Sequence, residues 1–266
     1  MMINIMLYKL LTERTRNTVF PEHYLKAGSE TLGFLLLGSW ILTLVFNPEA
    51  LRSNLIKDRI GYNNICVGFD TSPARYFALP CFVLKAYLDI RYVFTATQRS
   101  DLEREDGMVA VYQHRFSLIA NGTYGFYLLF LPFLVFVEPV DSSSVNFHYG
   151  VFALLILLRY LFISANFAQS VSTHKISTWS WVWFSLFTFA TFASLTFSAV
   201  DFALYDAQKG GEQAPPIPWV LLMITDYMWF MLVFLTTKFL PDLSPIHVKY
   251  SLLPLASDNT KILPLR

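Results

Sequence analysis

Four charged residues fall near the middle of long apolar stretches of the sequence, where charged side chains are uncommon. They are Lys85, Asp89, Arg159 and Asp226. Their formal charges cancel, and a charge within a bilayer is costly unless it is paired inside a helix bundle or lines a wet cavity. Two interpretations follow. The group is either a salt-bridge network that decides which helices pack together, or a site that conducts ions or protons or binds a polar ligand.

Helical spacing predicts how these four residues would meet. Lys85 and Asp89 are four residues apart, so they lie on one face of a helix and can pair with each other. That pairing would leave Arg159 and Asp226 as the natural pair between helices. At about 1.5 Å per residue, all four lie at depths of roughly 13 to 21 Å from one membrane face. They could therefore touch if their helices are neighbours.

The stretches that carry these charges are long enough to cross a bilayer. The 266 residues are 55% hydrophobic and 15% charged, whereas soluble domains are about 25% charged. A membrane-spanning helix needs about 20 apolar residues. We therefore predict an all-α polytopic membrane protein, a bundle of about six transmembrane helices at 28–47, 75–96, 115–138, 148–170, 178–204 and 217–240.

Two segments flank this predicted six-helix domain, which covers residues 28–240. Residues 1–27 begin with an apolar stretch that is short and interrupted by Lys9, so we predict a short interfacial helix and not a cleaved signal peptide. Residues 241–266 contain four prolines, which cannot continue a helix, so we predict an extended C-terminal tail.

The distribution of positive charge predicts the orientation. Twelve of the 20 Lys and Arg residues lie on the side that holds both termini, and five lie on the other side. Positive charge is retained on the cytoplasmic side of a membrane or in an equivalent compartment. We therefore expect both termini in the cytoplasm or the mitochondrial matrix, and we expect the mitochondrial inner membrane as the location.

The sequence lacks the residue patterns of the common catalytic and cofactor sites. None of the five histidines lies near the middle of a predicted span, so paired axial ligands for a membrane haem are absent. The sequence has no zinc-protease motif and no phosphate-binding loop. A net charge of +1 offers no basic face for nucleic acid. We predict no catalytic residues, no cofactor, no metal and no nucleic-acid partner.

The function that we predict is that of a non-catalytic accessory or structural subunit of a larger membrane protein complex. We expect a respiratory-chain assembly, with the lipid bilayer and other membrane subunits as partners. One alternative is a transporter, or an ion or proton channel, that uses Lys85, Asp89, Arg159 and Asp226. A third hypothesis is a membrane enzyme that acts on lipid, which would need a polar cleft open to the bilayer.

Overall fold

The chain folds as a helical bundle. The computed structural model describes residues 18–131, 137, 141–173, 176–207 and 218–247. Apart from a 3₁₀ helix at Ile65–Phe69 and a pair of two-residue strands, the described elements are α-helices. In chain order they are α1 (Pro21–Phe46), α2 (Glu49–Arg52), α3 (Leu55–Ile60), α4 (Ala74–Glu105), α5 (Val111–Leu128), α6 (Ser142–Thr173), α7 (Thr178–Ala207) and α8 (Trp219–Phe239).

The six long helices, which are α1 and α4 to α8, alternate in direction along the bundle. Glu22 at the start of α1 contacts Arg99 near the end of α4, and Thr43 near the end of α1 contacts the 3₁₀ helix that precedes α4. Side chains link α7 to α8 in the same antiparallel manner, for example Ser194 to Asp226. We call the end where α1 begins the near end and the end where α1 finishes the far end.

Four of these helices are long and apolar enough to cross a membrane, and they indicate an integral membrane protein. They are Pro21–Phe46, Ser143–Thr173, Thr178–Asp201 and Trp219–Phe239. They correspond to the first and the last three of the six predicted spans. The other two predicted spans begin on α4 and α5, which are helical and more polar over their described residues. Residues 132–136 and 138 of the span predicted at 115–138 lie outside the described residues. Three charged residues lie close together in α4, at Lys85, Asp89 and Arg91.

The first helix begins earlier than the sequence predicts. α1 starts at Pro21, so residues 21–27, which we assigned to the N-terminal segment, continue the first long helix. Apolar counting excluded them because Glu22 and Lys26 are charged. In the structure both side chains are buried against partners, Glu22 against Arg99 and Lys26 against Asp242. The predicted interfacial helix itself falls on residues 1–17, which lie outside the described residues.

The segments before α1 and after α8 meet at the near end. The strands β1 (Thr18–Val19) and β2 (Ile246–His247) pair in antiparallel register. Residues 241–245 are neither helix nor strand, as the prolines predict, and Leu243 in this stretch is buried. The tail therefore packs back onto the bundle as far as residue 247, and its remainder lies outside the described residues.

A compact connection between α1 and α4 covers the far end. Asn54 caps α3 by accepting a hydrogen bond from the Lys57 backbone N–H, and Gly61 ends α3 at φ 82°, a conformation that glycine adopts without strain. The Trp40 Nε1–H donates to the carbonyl oxygen of Ile65 at 2.8 Å. These bonds hold the connection against the end of α1, where it can present side chains to α8.

Candidate functional site

Three of the four predicted site residues meet in the middle of the bundle. The Lys85 Nζ lies 2.6 Å from Asp89 Oδ2, and the Arg159 Nη1 lies 3.6 Å from the same oxygen. All three residues are 0% exposed, so neither water nor lipid reaches their charges. The predicted pairing of Lys85 with Asp89 is confirmed.

Two hydroxyl groups complete this central cluster, which we define as Ser29, Lys85, Asp89, Tyr124 and Arg159. The Tyr124 hydroxyl donates to Asp89 Oδ2 at 2.6 Å and lies 3.3 Å from Lys85 Nζ. The Arg159 Nη2 donates to Ser29 Oγ at 2.6 Å. The central cluster thus joins α1, α4, α5 and α6, because each of these helices contributes at least one member.

The close approach of α1 to α4 depends on a glycine. A Cβ atom at Gly28 would collide with Asp89 Oδ1. Because glycine has no side chain, the two helices come together there, and Ser29 on the next position of α1 reaches Arg159 on α6. Small residues commonly permit such approach between membrane helices. The absence of a side chain at Gly28 thus lets α1 approach α4 at the place where the four helices of the central cluster meet.

The central cluster holds one more positive than negative charge. Lys85 and Arg159 are cationic, and Asp89 is the acid that contacts both. The Arg159 guanidinium also lies 5.7 Å from the centre of the Phe162 ring, a favourable cation–π arrangement. Removing one partner from a buried ion pair leaves an uncompensated charge. The cluster therefore depends most on Asp89, whose loss would leave two cations unbalanced.

The fourth predicted residue, Asp226, lies elsewhere, and its predicted pairing with Arg159 is wrong. Its carboxylate accepts hydrogen bonds from the Tyr62 hydroxyl at 2.5 Å and the Asn64 amide at 2.8 Å. The Ser194 hydroxyl donates to it at 2.8 Å. The reason is the packing order: α8 packs against α7 and α1, and the connection between α1 and α4 reaches over to Asp226.

Asp226 also borders a small cavity near the far end, between α6, α7 and α8. Its volume is about 40 Å³. The wall is partly polar, through Asn64, Tyr149, Ser194 and Ser198 as well as Asp226. The remainder of the wall is apolar and is formed by Phe152, Ala153, Ile156, Leu195 and Phe230.

A second ion cluster, which we did not predict, occupies the near end. The Arg99 Nη1 lies 2.5 Å from Glu22 Oε1, and the Arg99 Nε lies 3.9 Å from Glu103. The Asn166 amide donates to Glu22 at 2.8 Å and lies 3.4 Å from the Tyr92 hydroxyl. We call Glu22, Arg99, Glu103 and Asn166 the near-end cluster, and all four residues are buried.

The sequence did contain a signal for this cluster. The stripe that carries Lys85 and Asp89 continues along α4 at spacings of three, four or seven residues through Tyr92, Arg99 and Glu103. All five side chains are buried. Following the stripe past the apolar stretch would have predicted that the inward face of α4 remains polar to its end.

A Ser–His–Asp set also lies at the near end. The Ser100 hydroxyl lies 3.0 Å from His114 Nδ1, and the His114 Nε2 lies 3.5 Å from Asp101. These are the residue types of a catalytic triad. However, Ser100 is 0% exposed and its hydroxyl accepts a hydrogen bond from the Gln169 amide. A substrate therefore has no path to this serine, and the set links α4, α5 and α6.

An ion pair ties the C-terminal tail to α1. The Lys26 Nζ lies 2.7 Å from Asp242 Oδ1, and the His23 Nε2 lies 3.8 Å from Asp242 Oδ2. Partial burial acts to raise the pKa of the Asp242 carboxyl, but the nearby His23 and the Lys26 ammonium, which donates a hydrogen bond to the carboxylate, outweigh burial. The pKa of Asp242 therefore lies below its ordinary value.

Neither metal geometry nor likeness to known proteins points to a function. Within the described ranges, no group of three or more His, Cys, Asp or Glu side chains is placed to hold a metal ion. Comparison of the chain with protein family models, with curated proteins and with solved structures finds no match. The functional conclusion therefore depends on the geometry of the charges and of the surface.

Proposed function

We propose that α4 and α5 cross the membrane together with the four apolar helices, as the sequence predicts. The outward face of α4 supports this proposal. Tyr76 is 74% exposed and Phe94 is 70% exposed, and Val83 and Tyr87 between them are also exposed. The inward face of the same helix carries the buried ions. A helix with apolar side chains outward and ions inward suits a surrounding of lipid.

The outward face of α5 has the same character. Ile119 and Phe126 are exposed, whereas Ser117, Asn121 and Tyr124 are buried against the bundle. In a water-soluble helix the arrangement would be reversed, with polar residues outward. The two helices that composition alone does not mark as spans therefore present lipid-compatible surfaces.

Aromatic side chains support a bilayer between the two ends. Exposed Tyr112 and Trp179 lie at the near end, and exposed Tyr76 and Trp219 lie at the far end. Tyr and Trp are enriched at membrane–water interfaces. On α8, Trp219 and Lys238 are separated by about 28 Å at the helical rise, which is close to the roughly 30 Å thickness of a bilayer core.

The pairing of β1 with β2 supports our proposal that both termini lie on one side of the membrane. Both terminal segments leave the bundle at the near end. The excess of Lys and Arg on that side favours the cytoplasm or the mitochondrial matrix. The respiratory-chain assembly and the inner membrane stay predictions from the sequence.

We further propose that the protein is a non-catalytic structural subunit of a larger membrane complex. The observation that carries this proposal is the enclosure of the central cluster. Its three ions, Lys85, Asp89 and Arg159, contact one another and side chains of neighbouring helices, and none is exposed. Ions enclosed in this way specify helix packing and offer no path to either surface. Exposed aromatic residues on α4, α5 and α7 leave a broad apolar surface for lipid and for partner subunits.

Native mass spectrometry after mild extraction from the source membrane tests the subunit proposal. We expect the chain to leave the membrane with other proteins at a fixed stoichiometry. The matched sample is the same extract treated with a harsher detergent, which should release the single chain. If the chain emerges from mild detergent as a folded monomer, the proposal is wrong.

The alternative, ion or proton transport, finds support in one observation. Asp226 borders a cavity and has only neutral hydrogen-bond partners among the described residues. Flux into proteoliposomes tests this alternative. Transport predicts proton or cation flux that Asp226→Asn abolishes without loss of folding. The subunit proposal predicts that the unaltered chain gives no more flux than protein-free liposomes.

A further inference from the structure

The cavity beside Asp226 has the composition of a ligand site. A site for a small molecule is mostly apolar, with a few polar groups that fix the orientation of the ligand. Here the wall combines the polar side chains of Asp226, Ser194 and Ser198 with apolar and aromatic surface such as Phe152 and Phe230. The cavity is partly open, because Asp226 and Phe152 both retain some exposed surface.

Within the part of the chain that the structure describes, the carboxylate of Asp226 has no cationic partner, whereas two other acids of the bundle do. Asp89 lies 2.6 Å from Lys85, and Asp201 lies 2.9 Å from Arg59. The described partners of Asp226 are neutral donors instead. An acid that is held by neutral groups beside a cavity has no cation of its own among the described residues, and a cationic ligand in the cavity would supply one.

Two further hydroxyl groups on the same wall are not used by the fold. Tyr149 and Ser198 both line the cavity. Their hydroxyls form no hydrogen bond to other parts of the chain that the structure describes. Each can accept a hydrogen bond from a ligand N–H group, as can the Ser194 oxygen, which donates its own proton to Asp226. The wall therefore offers one charge and several acceptors directed at the same small space.

We propose that this cavity binds a small organic ammonium ion, a primary amine in its charged form. The ammonium group pairs with Asp226 and donates to the hydroxyls of Tyr149 and Ser198. The hydrocarbon part of the ligand lies against the apolar side chains of Phe152 and Phe230. Hydrocarbon walls do not replace the hydration shell of a metal ion, so an amine fits this wall better than an inorganic cation.

The volume limits the size of the amine. A cavity must offer roughly 10–15 Å³ to hold one water molecule, and this one offers about 40 Å³. It therefore accepts a headgroup with a chain of about one to three carbons. This inference does not depend on the subunit role, because a structural subunit and a transporter could both bind such a ligand.

Calorimetric titration of the full purified chain in mild detergent tests the proposal. The probe is propylammonium chloride, compared with propanol, which has no charge, and with sodium chloride at equal ionic strength. We expect saturable binding of propylammonium, and binding at least tenfold weaker for propanol and sodium. Asp226→Asn should weaken propylammonium binding roughly tenfold to a hundredfold, since it removes a charged hydrogen-bond partner. The exposed Glu105→Gln variant should bind as the unaltered chain does.

A second variant keeps the test decisive if Asp226→Asn fails to fold. Ala153→Leu places extra carbon atoms in the cavity without touching Asp226, and we expect it to abolish binding while the helical content stays unchanged. The proposal is overturned if the unaltered chain does not bind propylammonium. It is equally overturned if sodium binds as tightly, or if the folded Ala153→Leu variant binds with unchanged affinity.

Discussion

Substituting Asp89 and Lys85 of the central cluster one at a time should destabilise the protein by different amounts. Asp89→Asn removes the carboxylate that lies 2.6 Å from Lys85 and 3.6 Å from Arg159. Lys85→Met removes one of the two cations and fills a similar volume. After the first change two buried cations lack an anion. After the second change Arg159 and Asp89 remain as a balanced pair.

The expected magnitudes follow from this difference. Breaking a buried ion pair by removing one partner costs about 3–5 kcal/mol, and we expect Asp89→Asn to lower the free energy of unfolding by that amount. Lys85→Met loses two hydrogen bonds, to Asp89 and to Tyr124, but leaves no excess charge. Arg159 remains 3.6 Å from Asp89, so neither charge is left uncompensated. We therefore expect a smaller loss for Lys85→Met, about 1–2 kcal/mol, from the hydrogen bonds alone.

Equilibrium unfolding in mixed micelles with increasing sodium dodecyl sulfate measures both values on the same scale. The two variants should be compared at neutral pH, with near-ultraviolet circular dichroism of the buried aromatic residues as the signal. The exposed Glu105→Gln variant serves as the control for surface charge. If Lys85→Met destabilises the protein as much as Asp89→Asn does, the excess positive charge does not govern this cluster and the reasoning fails.

Two further predictions concern helix approach and the tail. Gly28→Ala should destabilise the protein by about 1–3 kcal/mol because the methyl group overpacks the contact between α1 and α4. Gly122→Ala, where no atom lies within 4 Å of an added Cβ, should be neutral or stabilising, and equal losses in the two variants would contradict this account. The pKa of Asp242 is lowered, so its contribution to stability is present above the ordinary Asp pKa of about 3.9. That contribution is lost as pH falls through the lower folded value. Unfolding midpoints between pH 7 and pH 3 should therefore fall less in Lys26→Met than in the unaltered chain, and identical curves would argue against the pair.

Much of the architecture could be predicted because local patterns determine it. Apolar length predicted the four helices that are able to cross a membrane, and the prolines from residue 241 onward predicted that the chain leaves the helix there. The pairing of Lys85 with Asp89 was predictable for the same reason, since both residues lie on one helix. The spacing of residues in the sequence determines which side chains share one face of a helix.

The relations between helices could not be predicted in the same way. Arg159 was paired with Asp226 because Lys85 and Asp89 pair with each other and all four residues lie at similar depth, but which helices are neighbours decides which side chains meet. Arg159 contacts Ser29 and Asp89, and Asp226 contacts the connection before α4. Counting apolar residues also excluded Glu22 and Lys26 from the first helix. Each is neutralised by a partner that is distant in the sequence, Arg99 for Glu22 and Asp242 for Lys26, and the count could not include those partners.

The central claim is that α4 and α5 lie in the membrane with their ions turned inward. Spin labels at Val83 on α4 and Ile119 on α5, both outward-facing, test it by power saturation in liposomes, after Cys66 and Cys81 are replaced. The account predicts that oxygen, which dissolves in lipid, relaxes both labels and that a water-soluble nickel chelate does not. Labels at Asp58 and Glu105, beyond the two ends, should respond to the chelate. Strong relaxation of the Val83 and Ile119 labels by nickel would place these faces in water and contradict the account.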